Sequence, residues 1–198
     1  MLSLQEISRP GLAPTSFDLA DGECLMLRGP SGAGKSLLLR AIADLDPNQG
    51  EAYLDGVARS DRSGPRWRRE VAYVPAEPGW WSERLGDHFA NWDDAAPLLE
   101  ALKLPRDIAG KTVRLLSTGE RQRLALIRAL VLTPRVLLLD EPTAPLDEAA
   151  TAAVERLARS FLEDGRSILW VTHDQAQAER MARRVLRIDE GVVREAAG

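Results

Sequence analysis

Cysteine is all but missing from this chain: among 198 residues there is one, Cys24, inside the apolar run Cys24-Leu25-Met26-Leu27. No disulfide can form within the chain, and a lone thiol in such a run reads as a small buried hydrophobe. Long apolar stretches are missing too. None approaches the roughly 18 residues that a membrane span needs, and Met1-Leu2-Ser3-Leu4-Gln5-Glu6 lacks the basic and apolar regions of a signal peptide. Nor is there a basic excess: 26 Lys and Arg stand against 30 Asp and Glu, a formal charge of −4. A broad electrostatic footprint is therefore absent, and no nucleic acid partner is expected. The expected location is the cytoplasm, where any work at a membrane needs another chain to supply the membrane part. Internal repeats and low-complexity segments do not stand out either.

What is present reads as one globular domain. Apolar residues make up 44% and charged residues 28%, ordinary values for a soluble protein of a length that allows one well-buried core. Residues 2–7 alternate apolar and polar like a half-buried strand; 17–19 and 23–28 read as further short strands, with Gly22 as the turn between them. A helix is expected over 35–45, with Leu37, Leu38, Ala41 and Ile42 on its buried side. Residues 50–54 and 71–74 read as strands, with Asp55-Gly56 as a turn signal. From 78 to 134 the pattern turns mostly helical, broken by Pro97, Pro105 and Gly110, and a helix over 119–132 closes this stretch. Strand 136–139, helix 148–162 capped by Asp147, strand 167–171, helix 175–182 and strands 185–188 and 192–194 follow. Strands alternating with helices argue for a mostly parallel sheet covered on both faces. The expected fold class is α/β, with a small N-terminal antiparallel portion and an inserted helical lobe. Residues 1–198 then form a single domain, with 1–77 and 135–198 as its core and 78–134 as the lobe.

The first chemistry lies in Gly29-Pro30-Ser31-Gly32-Ala33-Gly34-Lys35-Ser36, which meets the phosphate-loop pattern G-x-x-x-x-G-K-S. Glycines let the backbone wrap an anion without Cβ clashes, and the following helix presents its N-terminal N–H groups to the same charge. Lys35 can reach the β- and γ-phosphates, and the Ser36 hydroxyl can ligate Mg²⁺. By chance the pattern should arise in about one chain in a hundred of this length; here it also sits between a strand and a helix, the context that supports it. A nucleoside triphosphate is the expected ligand. A second element is Leu137-Leu138-Leu139-Asp140-Glu141, a buried strand ending in two carboxylates. Asp140 is read as a holder of Mg²⁺, and Glu141 as the base that orients or deprotonates the attacking water.

A third segment, Leu116-Ser117-Thr118-Gly119-Glu120-Arg121-Gln122-Arg123, begins as a capping box, with Ser117 capping a helix and Glu120 reaching back. It lies 23 residues before Asp140, and His173 follows 33 residues after it. Together these segments resemble the ATP-binding cassette (ABC) family over residues 2–194. Leu116 to Glu120 is similar to its L-S-G-G-Q signature, residues 136–141 to its Walker B, Ala144-Pro145-Leu146-Asp147 to its D-loop, and His173 to its switch histidine. The resemblance implies ATP hydrolysis by a head-to-tail dimer. Each nucleotide would lie on the loop of one subunit under Ser117, Thr118, Gly119 and Glu120 of the other, with His173 contacting the γ-phosphate near Glu141.

Three positions depart from the family's pattern. Where an aromatic usually stacks on adenine, the chain has Ser8-Arg9-Pro10-Gly11; Arg9 either stacks its guanidinium on the base or is solvated, and weak discrimination between ATP and GTP is expected. The family's loop glutamine aligns with Ala76. Its neighbour Glu77 either replaces it as an oxygen ligand to Mg²⁺ or is an exposed loop acid. Thr118 replaces the first signature glycine, and its methyl group is expected to crowd the approach to phosphate.

The resemblance implies transport through a separate integral membrane permease, with the ATPase peripheral at the inner face of the cell membrane. Trp80-Trp81 either line the groove for that partner or belong to the lobe's own core. Leu126-Ile127-Arg128 and residues 168–174 are similar to small bacterial cassettes suspected of iron export. The alternative is a soluble cassette ATPase acting on ribosomes or DNA, which usually carries two cassettes, coiled-coil insertions or basic arms. A small-molecule kinase is a third reading, but it needs neither the signature nor His173.

Overall fold

Two sheets share the chain in the computed structural model, which describes residues 1–196. The first is antiparallel, with order β2-β1-β4-β5, made from β1 (Leu2–Arg9), β2 (Leu12–Leu19), β4 (Gln49–Leu54) and β5 (Val57–Ala58). The second has order β10-β9-β3-β8-β7-β6, from β3 (Cys24–Arg28), β6 (Val71–Val74), β7 (Val136–Asp140), β8 (Ser167–Val171), β9 (Arg184–Asp189) and β10 (Val192–Glu195). All its neighbours are parallel except β9 and β10. The expected α/β class with a mostly parallel sheet and a small antiparallel portion is what the chain adopts.

Strand alternation divides the core in two. Leu25, Leu27, Leu138, Leu169 and Val171 face α1 (Lys35–Ile42) and the antiparallel sheet. Cys24, Met26, Leu137, Leu139 and Trp170 face the other way, toward α4 (Thr118–Leu130) and α5 (Glu148–Glu163). With both faces covered, β3, β7 and β8 are buried along nearly their whole length, which is why they read as continuous apolar runs. Each fully buried Leu, Ile or Val contributes about 1.5–3 kcal/mol, so this central sheet is the rigid platform beneath the site. Cys24 lies within it, its thiol pushed up to about 12 by burial and the neighbouring Glu23 charge, and it is inert.

Several elements differ from expectation. β2 begins at Leu12 rather than at residue 17; it includes Pro14, tolerated because β2 is a sheet edge, where a missing N–H costs no ladder bond. α1 buries Leu39 instead of Leu37 and stops at Ile42, short of the expected end at residue 45. A helix with no apolar periodicity, α2 (Gly64–Glu70), was not expected. It starts with Pro in its first turn and is pinned by Trp67, fully buried, whose Nε1 donates to Ile42 O at 2.8 Å. The Asp55-Gly56 turn is as read, with φ of 54° and 77° joining β4 to β5. Residues 78–134 hold less helix than their pattern suggested: α3 (Ala96–Ala101), α4 and four short 3-10 turns between Leu85 and Leu115. Pro97 starts α3 rather than breaking it, while Pro105 and Gly110 bound one of the 3-10 turns. The last helix is α6 (Gln175–Met181), capped by Asp174, and β9 and β10 follow it.

Candidate functional site

Gly29 to Gly34 link β3 to α1, whose first residues are Lys35 and Ser36. Gly29 has no room for a side chain: a Cβ there would lie 2.1 Å from the Ile188 carbonyl oxygen on β9. Gly32 and Gly34 hold φ of 78° and 104°, a region that favours glycine. Gly34 is the N-cap of α1 and supplies no side-chain cap, so the helix's first N–H groups stay available to an anion. Lys35 is buried, and its Nζ donates to Gly29 O and Pro30 O, both at 2.8 Å. The ammonium thus closes the loop around itself in a ring that a phosphate oxygen can enter.

One turn of chemistry further on, Ser36 Oγ donates to Asp140 Oδ2 at 2.6 Å. Asp140 ends β7 on the same face as Leu138, toward α1, and is buried. A second hydroxyl reaches it: Tyr73 OH donates to the same Oδ2 at 3.0 Å. Burial and the Asp140 charge push the phenol of Tyr73 well above its ordinary value, so it remains a donor. The sequence reading missed Tyr73. β6 runs parallel to β7 with Tyr73 opposite Leu138, and a phenol is long enough to reach the carboxylate at the strand's end. Glu77, expected as an alternative oxygen ligand, is exposed and makes no hydrogen bond to Ser36 or Asp140 among the described residues. The residue of this segment that touches Asp140 is Tyr73. The Ser36 hydroxyl and Asp140 carboxylate, hard oxygens 2.6 Å apart, suit the crowded oxygen shell of Mg²⁺.

Glu141 leaves the strand direction. Its φ is 48°, unusual for a residue with a side chain, and its N–H donates to Val171 O at 3.0 Å. The turn sends its carboxylate away from Asp140 to His173, whose Nε2 lies 2.6 Å from Glu141 Oε1. A carboxylate only accepts, so this nitrogen carries the proton. His173 is half exposed and stands just past β8, which pairs with β7; the sheet register brings the two together.

The signature residues make a separate cluster. The capping box is formed as read: Glu120 N donates to Ser117 Oγ at 3.1 Å and Ser117 N to Glu120 Oε2 at 2.8 Å. The bond from Ser117 N–H, outweighing burial, holds the Glu120 carboxyl below its usual range. Lys111 lies 3.6 Å away. Thr118 is exposed and accepts from Arg121, while Gly119 packs against Pro145 and Leu146, where a Cβ would meet both at 3.2 Å. Among the described residues no hydrogen bond or ion pair joins Ser117, Thr118, Gly119 or Glu120 to the phosphate loop. Gln122, fully buried, reaches the segment before Ala76 by donating to Pro75 O at 3.1 Å.

Arg9 is partly buried and already paired. Its guanidinium pairs with Asp46, which also accepts from Arg40 Nε and Nη2, both at 2.7 Å. These bonds, Arg40's first, hold the Asp46 carboxyl far below the usual range. Of the tryptophans, Trp80 packs against the lobe's core, while Trp81 is 70% exposed. Arg128 lies over both rings, at 4.7 and 5.0 Å. Trp81, Leu45, His88, Phe89 and Leu132 line a groove of about 430 Å³ between the lobe and β6.

With this geometry the chain resembles proteins of known kind. The family model described as ABC transporter matches residues 12–144. The phosphonates import ATP-binding protein PhnC of Trichormus variabilis is 36% identical over 208 residues, covering 93% of this chain and 84% of its own. The probable iron export ATP-binding protein FetA of Escherichia coli is 36% identical over 172 residues, 81% of this chain and 76% of that protein. A solved ATP-binding subunit of an ABC transporter superposes with a TM-score of 0.86 at 26% identity, over 98% of this chain and 89% of the other. A dimeric ATP-binding cassette bound to ADP and Pi superposes at 0.84 and 24% identity over the whole of both chains.

Proposed function

The chain belongs to the ABC transporter family, and on that premise we propose that each of its ATP sites is completed by two copies of the chain, closed head to tail. The chain is an ATP-hydrolysing cassette that powers transport through a partner. The observation that supports shared sites is the separation just described. Gly29 to Ser36, Asp140, Glu141 and His173 converge, while the capped N-terminus of α4 makes its contacts with Lys111, Arg121 and the 145–146 segment. A helix N-terminus with free N–H groups is half of an anion site, and a second copy's γ-phosphate supplies the other half.

In this reading residues 1–77 and 135–198 form the nucleotide core and 78–134 the lobe that carries the signature. Lys35 gives up its two loop carbonyls for β- and γ-phosphate oxygens. Ser36 and Asp140 would hold Mg²⁺, which would neutralise charge on those phosphates. Glu141 takes the proton of the attacking water, and the His173 Nε2–H, which faces Glu141 Oε1 in the free chain, turns to the γ-phosphate and frees that carboxylate oxygen. Arg9 remains with Asp46. The 430 Å³ groove, with Trp81 at its rim, receives an apolar segment of the integral membrane permease. No helix among the described residues is long and apolar enough to cross a membrane; in this reading the permease supplies the membrane part and the chain works peripherally, at the inner face of the cell membrane. The two relatives named above differ in cargo and direction, phosphonate import for one and probable iron export for the other, as befits a chain whose partner holds the cargo.

The test is Glu141→Gln with ATP on a sizing column. Slowed hydrolysis should trap an ATP-bound dimer, and Thr118→Gly in the same background should dimerise at lower protein concentration. A variant that stays monomeric and hydrolyses at the wild-type rate refutes both the base assignment and the shared site.

A further inference from the structure

Behind the Glu141–His173 pair lies a partly buried polar chain that the roles above leave unused. Thr143, two residues after Glu141, donates its hydroxyl to Gln177 Oε1 at 3.2 Å. Gln177 Nε2 donates to Glu155 Oε1 at 3.1 Å, and Arg180 closes the chain, Nη2 to Glu155 Oε1 at 2.7 Å and Nε to Oε2 at 3.3 Å. Gln177 is fully buried and Glu155 nearly so. The four residues come from the segment after β7, from α5 and from α6. Thr143, Glu155 and Arg180 line the same cleft as Glu141 and His173.

The order of donors is determined by one charge. Burial opposes ionisation of Glu155, yet the bonds from Arg180 and Gln177 hold its carboxyl below the usual range. An ionised carboxylate only accepts, so the Gln177 amide must turn its NH₂ toward Glu155 and its oxygen toward Thr143. That leaves Thr143 as donor. Gln177 is also tied to the histidine side: its N–H donates to the Asp174 side chain at 3.1 Å, and Asp174 follows His173 directly. One side chain therefore joins the segment that carries the carboxylate to the helix that follows the imidazole.

We propose that Gln177 is a positioning residue for hydrolysis, holding Glu141 and His173 in register by bridging Thr143 to the Glu155–Arg180 pair. The assignment rests on Glu141 and His173 acting at the γ-phosphate. It touches neither nucleotide nor water, so its removal should disturb turnover and spare binding. Misplacement of a reacting group by about 1 Å can cost as much as a hundredfold; a loosened bridge should cost about tenfold.

The experiment measures steady-state ATP hydrolysis by the purified chain carrying Gln177→Leu, Thr143→Val, both, or Thr143→Ser. Each of the first two should lower kcat about tenfold with KM for ATP within about twofold, and the double variant should be no worse than either single one, because both break the same bridge. Thr143→Ser keeps the hydroxyl and should restore the rate. Wild-type kcat in folded Gln177→Leu, or effects that multiply in the double variant, would overturn the proposal. If Gln177→Leu does not fold, Thr143→Val against Thr143→Ser decides: equal rates refute it. Glu141→Gln is run alongside. Should it hydrolyse at the wild-type rate, the site reading fails; should it be inactive while Gln177→Leu is unimpaired, only the bridge fails.

Discussion

Tyr73 and Ser36 donate to a single oxygen, Asp140 Oδ2, at 3.0 and 2.6 Å. The buried Asp140 carboxylate thus accepts from two neutral hydroxyls. Tyr73→Phe removes one of them and should destabilise the nucleotide-free chain by about 1.5–3 kcal/mol, the usual worth of a hydrogen bond to a charged group. With Mg²⁺ and ATP present the loss should shrink, since the cation then satisfies the same oxygen. Urea unfolding with and without Mg-ATP measures the difference; an equal loss in both conditions would refute the shared-oxygen account.

The phosphate loop's glycines are not equivalent. Gly29→Ala would place a Cβ 2.1 Å from a backbone carbonyl, whereas at Gly32, with φ of 78°, a Cβ meets nothing within 4 Å. The Gly32→Ala cost is conformational only, about 1–2 kcal/mol. Gly29→Ala should exceed it and weaken nucleotide binding as well, because β9 or the loop must move. Denaturation midpoints and nucleotide titration of the two variants rank them.

Acid should find the Arg9–Asp46–Arg40 cluster. The Asp46 carboxyl lies below its unfolded value, so the unfolded chain takes up protons first as pH falls. The cluster's contribution is present above about pH 4 and drains away progressively below it. Arg40→Ala should flatten the acid arm of the stability–pH curve. Arg9→Ala should lower stability while leaving the ratio of ATP to GTP turnover within about twofold. A marked ATP preference that vanishes in Arg9→Ala would instead reveal stacking on the base.

Adjacent tryptophans should part company. Trp80 packs into the lobe and Trp81 is largely exposed. Trp80→Ala is expected to cost about 3–5 kcal/mol, and Trp81→Ala to leave the unfolding midpoint within about 0.5 kcal/mol. Only the exposed ring's loss should abolish co-purification with membrane protein from detergent-solubilised cells. Retention of the Trp81→Ala chain by that membrane fraction would argue against the groove as the docking site.

The phosphate loop, Asp140, Glu141 and the Ser117 cap were legible because each is a local matter: glycine spacing, a strand that ends in acids, a cap three residues from its partner. Tyr73 and Gln177 were not, since their roles depend on which strand or helix lies beside them. The pairing of Arg9 with Asp46 was hidden for the same reason. Asp46 is far away in sequence but adjacent once β1 and α1 are packed. The lobe was overcounted as helix because its apolar spacing fits helices and single 3-10 turns alike, and α2 was undercounted because one tryptophan, rather than an apolar face, anchors it.

Glu141 holds a left-handed backbone, and this sets resilience against turnover at one position. Glycine there would relieve about 1–2 kcal/mol of local strain while deleting the carboxylate. A library of this chain screened for heat resistance alone should therefore enrich Gly or Asn at 141 and return hardy, inactive proteins. Any programme to toughen the cassette must leave that residue under selection for hydrolysis.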